Sequence, residues 1–283
     1  MSNSNPWTRR LTATTSDGLT LAVRTAGDLS APTVVLVHGF PDTHAVWDRV
    51  ATELARTMHV VAYDVRGAGE SDVPTGREGY RLDQLARDLR AVVAVVSPGT
   101  PVHLVAHDWG SIQSWEAITD PDAERIFATF TSMSGPCLDH VASAARRLVR
   151  ERPTAAVLQV GRSWYIAVFQ IPKLPELALA RGASRRVAPE STGSPSDAVH
   201  GIELYRANVR PVLRHPRIRR TTVPVQLVVA TKDPFVGPDL FEGLDQWVTS
   251  LQRVDIEGGH WLPQTHAQEV ADAVRAFATD ARV

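Results

Sequence analysis

The sequence predicts an α/β protein: a mostly parallel sheet with flanking helices, interrupted once by a helical insert. Two observations carry this. Short apolar runs alternate with segments of helical period, the pattern of strands joined by helical crossovers. The alternation stops after Gly135-Pro136 and resumes at Val223. With 283 residues, the chain has room for one large α/β domain with an inserted sub-domain. The expected division is 1–136 and 221–283 for the sheet domain, and 137–220 for the insert.

The elements follow in order. Leu11–Thr14 and Leu19–Val23 flank Ser16-Asp17-Gly18, a hairpin signal. Thr33–Val37 is a continuous apolar run, as in a strand buried on both faces, and ends in His38-Gly39-Phe40-Pro41. A helix is expected over Ala45–Thr57, then a strand at His59–Tyr63 leading into Asp64-Val65-Arg66-Gly67-Ala68-Gly69-Glu70-Ser71. Leu82, Leu85, Leu89, Val92, Val93 and Val96 share one helix face. Val102–Ala106 is a strand that runs into His107-Asp108-Trp109-Gly110-Ser111, with a helix over Ile112–Ile118 and a strand at Ala128–Met133. Leu138–Arg220 contains helical patterns and prolines, with a polar loop at Glu190–Ser196. Strands at Val223–Ala230 and Leu251–Ile256 and a helix over Ala267–Ala278 complete the reading.

Composition excludes several function classes. A formal net charge of -1 gives no long-range field for nucleic acid or an acidic membrane, and neither is an expected partner. Arg217-Ile218-Arg219-Arg220 is expected to be a solvated helix face. Cys137, the single cysteine, cannot form an internal disulfide and is assigned a structural role. No apolar stretch is long enough to span a bilayer, and Met1–Trp7 carries no secretory pattern, so a cytoplasmic protein is expected. The histidines show no metal-binding spacing, and no dinucleotide fingerprint occurs, so neither metal nor cofactor is expected.

The chemistry concentrates at strand ends. Ala106-His107-Asp108-Trp109-Gly110 joins a strand to a helix through a sharp turn with small residues at its ends, the arrangement that presents a nucleophile. A helix N-terminus favours an anion there. Asp108 taken alone is as well explained as a helix N-cap. Asp233 follows the strand ending at Ala230, and His260 follows Gly258-Gly259 after the last strand. Nucleophile, acid and histidine in that chain order, each just past a strand, form a triad order. Sites in open parallel sheets form at the strands' carboxyl ends. That combination favours Asp108–Asp233–His260 as a catalytic triad over three unrelated loop caps.

These segments resemble the epoxide hydrolase branch of the α/β-hydrolase fold. The resemblance runs from about Thr12 to Ala278 and rests on His38–Pro41, Asp64–Ser71, His107–Ser111, Asp233 and Gly259-His260-Trp261. It implies an eight-stranded sheet and a helical cap. It also implies an oxyanion hole from the Phe40 and Trp109 N–H groups. The family's two cap tyrosines match Tyr165, ahead of Phe169-Gln170-Ile171-Pro172, and Tyr205, followed by Arg206. The similarity is closest to the hydrolase part of a group that can be fused to a short-chain dehydrogenase. No dehydrogenase segment is expected here.

The resemblance implies hydrolysis of an epoxide to a vicinal diol through an ester on Asp108. His260 and Asp233 activate water, and Tyr165 and Tyr205 hold and protonate the ring oxygen. Trp109, Trp164 and Phe169 are substrate-binding candidates. With Ile171, Leu174 and Leu177 they imply an apolar pocket for a small apolar epoxide. A homodimer is compatible with the sequence. Rival readings are a haloalkane dehalogenase, which usually has Asn where Phe40 stands, and a fluoroacetate-type dehalogenase, which usually has Arg where Trp109 stands. The third is a non-catalytic receptor, which often lacks a triad member.

Overall fold

The computed structural model describes residues 5–280. Met1–Ser4, part of the segment without a secretory pattern, lie outside the described residues. β1 (Arg9–Thr14) and β2 (Thr20–Ala26) form the expected hairpin. The remaining strands are β3 (Thr33–Val37), β4 (His59–Tyr63), β5 (Val102–His107), β6 (Phe127–Met133), β7 (Val225–Ala230) and β8 (Leu251–Ile256). They form one sheet in the order β1-β2-β4-β3-β5-β6-β7-β8. β1 and β2 run antiparallel to their neighbours, and every pairing from β4 to β8 is parallel.

The continuous apolar runs have a direct cause. Along β3, Val35 and Val37 enter one hydrophobic cluster while Val34 and Leu36 enter the other. Both faces of the strand are therefore covered, which is why Val34–Val37 are all apolar. One face is covered by α2 (Leu82–Val96) and α3 (Trp109–Ile118), the other by α1 (Asp48–Leu54) and α11 (Ala267–Asp280). The helix expected from Ala45 is instead a 3₁₀ turn, His44–Trp47, followed by the shorter α1. Cys137 is buried, and desolvation pushes its thiol up to about 12, as suits a packing residue.

Between β6 and β7 lie α4 (Leu138–Glu151), α5 (Pro153–Arg162), α6 (Trp164–Phe169), α7 (Leu174–Ala180), α8 (Ser184–Val187) and α9 (Pro195–Arg214). A capping box between Ser194 and Asp197, with Pro195 in the first turn, starts α9. That helix buries Leu204, Tyr205 and Val209 against the core. Asn208 on α9 donates to the Tyr80 carbonyl at 2.8 Å and accepts from the Leu82 N–H at 2.9 Å. α10 (Leu262–Thr265) is a single turn after β8.

The arginine run at 217–220 differs from expectation. It is not helical, and two of its members are not free. Arg217 and Arg219 both pair with Glu116 on α3 and Asp139 on α4. Two buried carboxylates recruit the two guanidiniums, so this run fastens the returning insert to the sheet domain. Among the described residues, no helix is long and apolar enough to cross a membrane.

Candidate active site

The nucleophile candidate sits where β5 ends. Asp108 has φ 51° and ψ -124°, and α3 begins at the next residue. A non-glycine residue at positive φ is strained and persists only where its surroundings over-determine it. Here the neighbours have no room to relax. A Cβ on Gly110 would lie 2.2 Å from the Val37 carbonyl oxygen, so only glycine lets α3 approach β3 this closely. Gly39 has the same role opposite, where a Cβ would lie 2.3 Å from Asp108 Oδ1.

The two oxygens of Asp108 are not equivalent. Oδ1 accepts the Phe40 N–H at 2.7 Å, and the Trp109 N–H also bonds the carboxylate. Oδ2 lies 3.6 Å from His260 Nε2. His260 Nδ1 donates to Asp233 Oδ2 at 2.9 Å. The other oxygen of Asp233 accepts the Phe235 and Val236 N–H groups at 2.8 and 3.0 Å. Behind the imidazole, His107 Nε2 lies 2.8 Å from the His260 carbonyl oxygen, which only a protonated Nε2 can satisfy.

Electrostatics sort these groups. Burial pushes the Asp108 pKa up, against the opposing charge of His260 and the two N–H donors. Burial would lower the His260 imidazole. The Asp233 charge and hydrogen bond, then Asp108 and Asp42, outweigh it and push the group up to about 9. Asp233 is depressed, because its bonds and the histidine's charge overcome burial. Burial lowers His107 to about 3, so it stays a neutral support.

The insert supplies the roof. Tyr165 on α6 and Tyr205 on α9 face each other nearly edge-on, with ring centroids 5.8 Å apart. Burial raises both phenols far above the ordinary tyrosine range, and the Asp108 charge adds to the effect in each. Both therefore remain hydrogen-bond donors at any ordinary pH. A cavity of about 200 Å³ separates floor from roof and is bounded by Asp108, His260, Tyr165, Tyr205, Phe235 and Trp261 among others.

Most of the residues picked from the sequence converge here. Asp108, His260, Tyr165, Tyr205, Phe40, Trp164 and Phe169 all border the cavity, and Asp233 stands directly behind His260. Trp109 is the exception as a substrate contact. Its ring is buried and packs on Tyr205 at 4.8 Å rather than bordering the cavity. Helix α3 directs that side chain under α9, so its backbone serves the site while its ring supports a phenol. Ile171, Leu174 and Leu177 also miss the pocket and lie exposed. Phe235, two residues past Asp233, has no role in the sequence reading, and Trp261 enters it only within Gly259-His260-Trp261, yet both border the cavity. Asp42 was also missed: buried, it accepts the Trp261 indole N–H at 3.0 Å and the Thr192 N–H at 2.8 Å. Only its place one residue beyond His38–Pro41 could have flagged it.

Comparison with known proteins bears on the fold. The family model for the alpha/beta hydrolase fold matches residues 32–267. The chain is 40% identical to the probable oxidoreductase EphD of Mycobacterium tuberculosis over 93% of this chain and 48% of that protein. It thus spans about half the length of that relative. It is 27% identical to epoxide hydrolase 3 of Xenopus tropicalis, over 89% of this chain and 72% of that one. Among solved structures, an epoxide hydrolase of Bacillus megaterium in complex with an inhibitor superposes with a TM-score of 0.80 at 22% identity, covering 96% of this chain and all of that one. A strained residue between a buried parallel strand and a helix, an Asp–His pair at the ends of later strands and a model match over most of the chain have one meaning: this protein belongs to the alpha/beta hydrolase fold family.

Proposed function

We propose that the protein hydrolyses epoxides to vicinal diols, with residues 137–220 acting as a cap over the sheet domain. The observation that carries this reading is the division of labour on one carboxylate at the cavity wall: Oδ1 of Asp108 accepts the Phe40 N–H while Oδ2 stands 3.6 Å from His260 Nε2. Oδ2 attacks an epoxide carbon. The ring C–O bond breaks, and its electron pair takes a proton from Tyr165 or Tyr205, so no bare alkoxide forms in an apolar pocket. The product of this step is an ester whose carbonyl oxygen, Oδ1, already lies in the oxyanion hole.

Ester formation removes the Asp108 charge, which is one of the influences that raise His260. The imidazole becomes more easily neutral just when a base is needed. It takes a proton from water, the hydroxide adds to Cγ, and the Phe40 and Trp109 N–H groups hold the tetrahedral oxyanion. Collapse breaks the Cγ–Oδ2 bond, so Oδ2 leaves on the substrate as one of the two diol oxygens and takes its proton from the His260 imidazolium. Asp108 is regenerated carrying one oxygen from water, and the proton on that new carboxyl restores the ionised tyrosine. A carboxylate suits this electrophile because attack at a saturated carbon needs an anion but no prior proton removal. The dehalogenase reading loses its halide donor, because the Trp109 ring packs on Tyr205 instead of bordering the cavity. The bounding residues favour an apolar epoxide.

Two measurements test the scheme. In His260→Gln with excess epoxide, the intact protein should gain the mass of one substrate molecule. In a single turnover with excess enzyme in heavy-oxygen water, the label should enter Asp108 and be absent from the diol. Label appearing directly in the diol would mean that water, not Asp108, opens the ring.

A further inference from the structure

The insert's outer surface is unusual in two respects at once. Val149, Val157, Leu158, Val160, Trp164, Ile171, Leu174, Leu177 and Val187 make up most of the large apolar side chains that lie exposed on the described residues. The same stretch, 138–187, holds nine Lys and Arg residues against three Asp and Glu, in a chain whose total is -1. The near-neutral total therefore conceals a segregation of charge. Arg147 and Arg152 are engaged with Asp239 and Glu242. Lys173, Arg181, Arg185 and Arg186 are exposed, and none has an acidic partner among the described residues.

These features meet at the mouth of the cavity. Trp164, Ala178 and Val187 border the cavity and are themselves exposed, so the opening lies between α6, α7 and α8. On α7, Leu174, Leu177 and Ala178 share one face by helical spacing, and Arg181 extends the same row. Exposed leucines and exposed cations carried on or next to the same two short helices, α7 and α8, have the make-up of a surface that lies on a lipid headgroup layer: apolar groups enter the acyl boundary while cations meet lipid phosphates. A small apolar patch on a monomer needs no partner, but one this rich in cations at a substrate entrance has a charge-complementary one.

We infer that the α6–α8 rim docks on an anionic bilayer, so that apolar substrate passes from the lipid into the cavity without crossing water. Docking is reversible and superficial, because no described helix can span the membrane. It does not depend on the ring-opening chemistry, although that reading explains why the entrance faces the lipid.

The test is co-sedimentation of the full chain with large vesicles, either pure phosphatidylcholine or equimolar phosphatidylcholine and phosphatidylglycerol. Binding to the anionic vesicles should be strong at low salt and weaken as salt rises. The combined variant Lys173→Gln, Arg181→Gln, Arg185→Gln, Arg186→Gln should bind about tenfold or more weakly. Leu174→Ser with Leu177→Ser should also weaken binding. None of these six side chains borders the cavity, so both variants should keep wild-type turnover of a small water-soluble epoxide, which also reports that they are folded. Docking is overturned if the wild type stays in the supernatant with anionic vesicles, or if both variants bind as well as it does. It is also overturned if the patch instead forms a concentration-dependent dimer that the leucine variant dissolves. Vesicle binding by a wild type that never forms diol would uphold docking and overturn the epoxide hydrolase reading.

Discussion

The floor and the roof of the cavity are built by opposite means. On the floor, Asp108 and Asp233 leave the ends of strands buried along their whole length, His260 follows the edge strand β8, and backbone N–H groups fix each carboxylate. The roof rests on thinner support. α5 and α6 contain no fully buried residue, and the two hydrophobic clusters centred on the insert are small. Polar fasteners do more there: Arg206 donates to the Phe169 and Ile171 carbonyls and pairs with Glu176 and Glu203. The contrast has a chemical logic. Developing charge must be met by dipoles that do not reorganise, which requires a close-packed floor. For the proposed reaction, a roof that must let substrate in and diol out gains from looser packing.

Breaking the floor should have the largest effect. Asp108→Asn keeps the volume and removes the anion, and kcat should fall by on the order of 10⁴-fold or more, the scale at which groups acting as a unit fail together. Steady-state diol formation measures it. Turnover near wild type would show that the floor is not the reacting side.

The roof comes next. Tyr165→Phe with Tyr205→Phe removes both proposed acids while keeping the rings, and ring opening should slow by about 10²- to 10⁴-fold. Each single variant should lose less, since one phenol remains. The burst of ester formation under single-turnover conditions reads this step alone.

Asp42 joins the two regions, and its loss separates activity from stability. Asp42→Ala leaves the buried Trp261 indole and the Thr192 N–H unpaired, at about 1–3 kcal/mol each. The unfolding midpoint in urea should drop accordingly. Arg206→Ala should cost the fold less but free the α6–α7 connection, so limited proteolysis should cut near Phe169–Leu174 well before the sheet domain. Equal cleavage of the two regions would erase the contrast.

The smallest effect is the pH dependence of stability. His260 is raised from an ordinary 6.5 to about 9 in the folded state, so the folded protein holds this proton more tightly than the unfolded chain. Its contribution is fully present below about 6.5 and is lost as pH rises through about 9. His260→Gln should flatten that decline in a series of urea melts between those limits. Asp233 works in the opposite sense, stabilising above its ordinary range and ceasing to do so in acid.

The sequence alone determined the centre of the sheet, because strands covered on both faces are mostly apolar: Val34–Val37 has no polar residue, and Val102–Ala106 is interrupted only by His103. It also marked Asp108, Asp233 and His260, since strand ends are local features readable one segment at a time. Where the ring of Trp109 points was decided only by tertiary structure, for a helix-start side chain turns toward whatever element packs over it, here Tyr205 on α9. The same holds for the arginine run, whose partners lie far away on α3 and α4. It holds too for Leu174 and Leu177, which composition assigns to a pocket and the path of α7 turns outward. A period of three or four residues says that a helix has an apolar face, whereas the neighbours in space decide whether that face looks into a cavity or out of it.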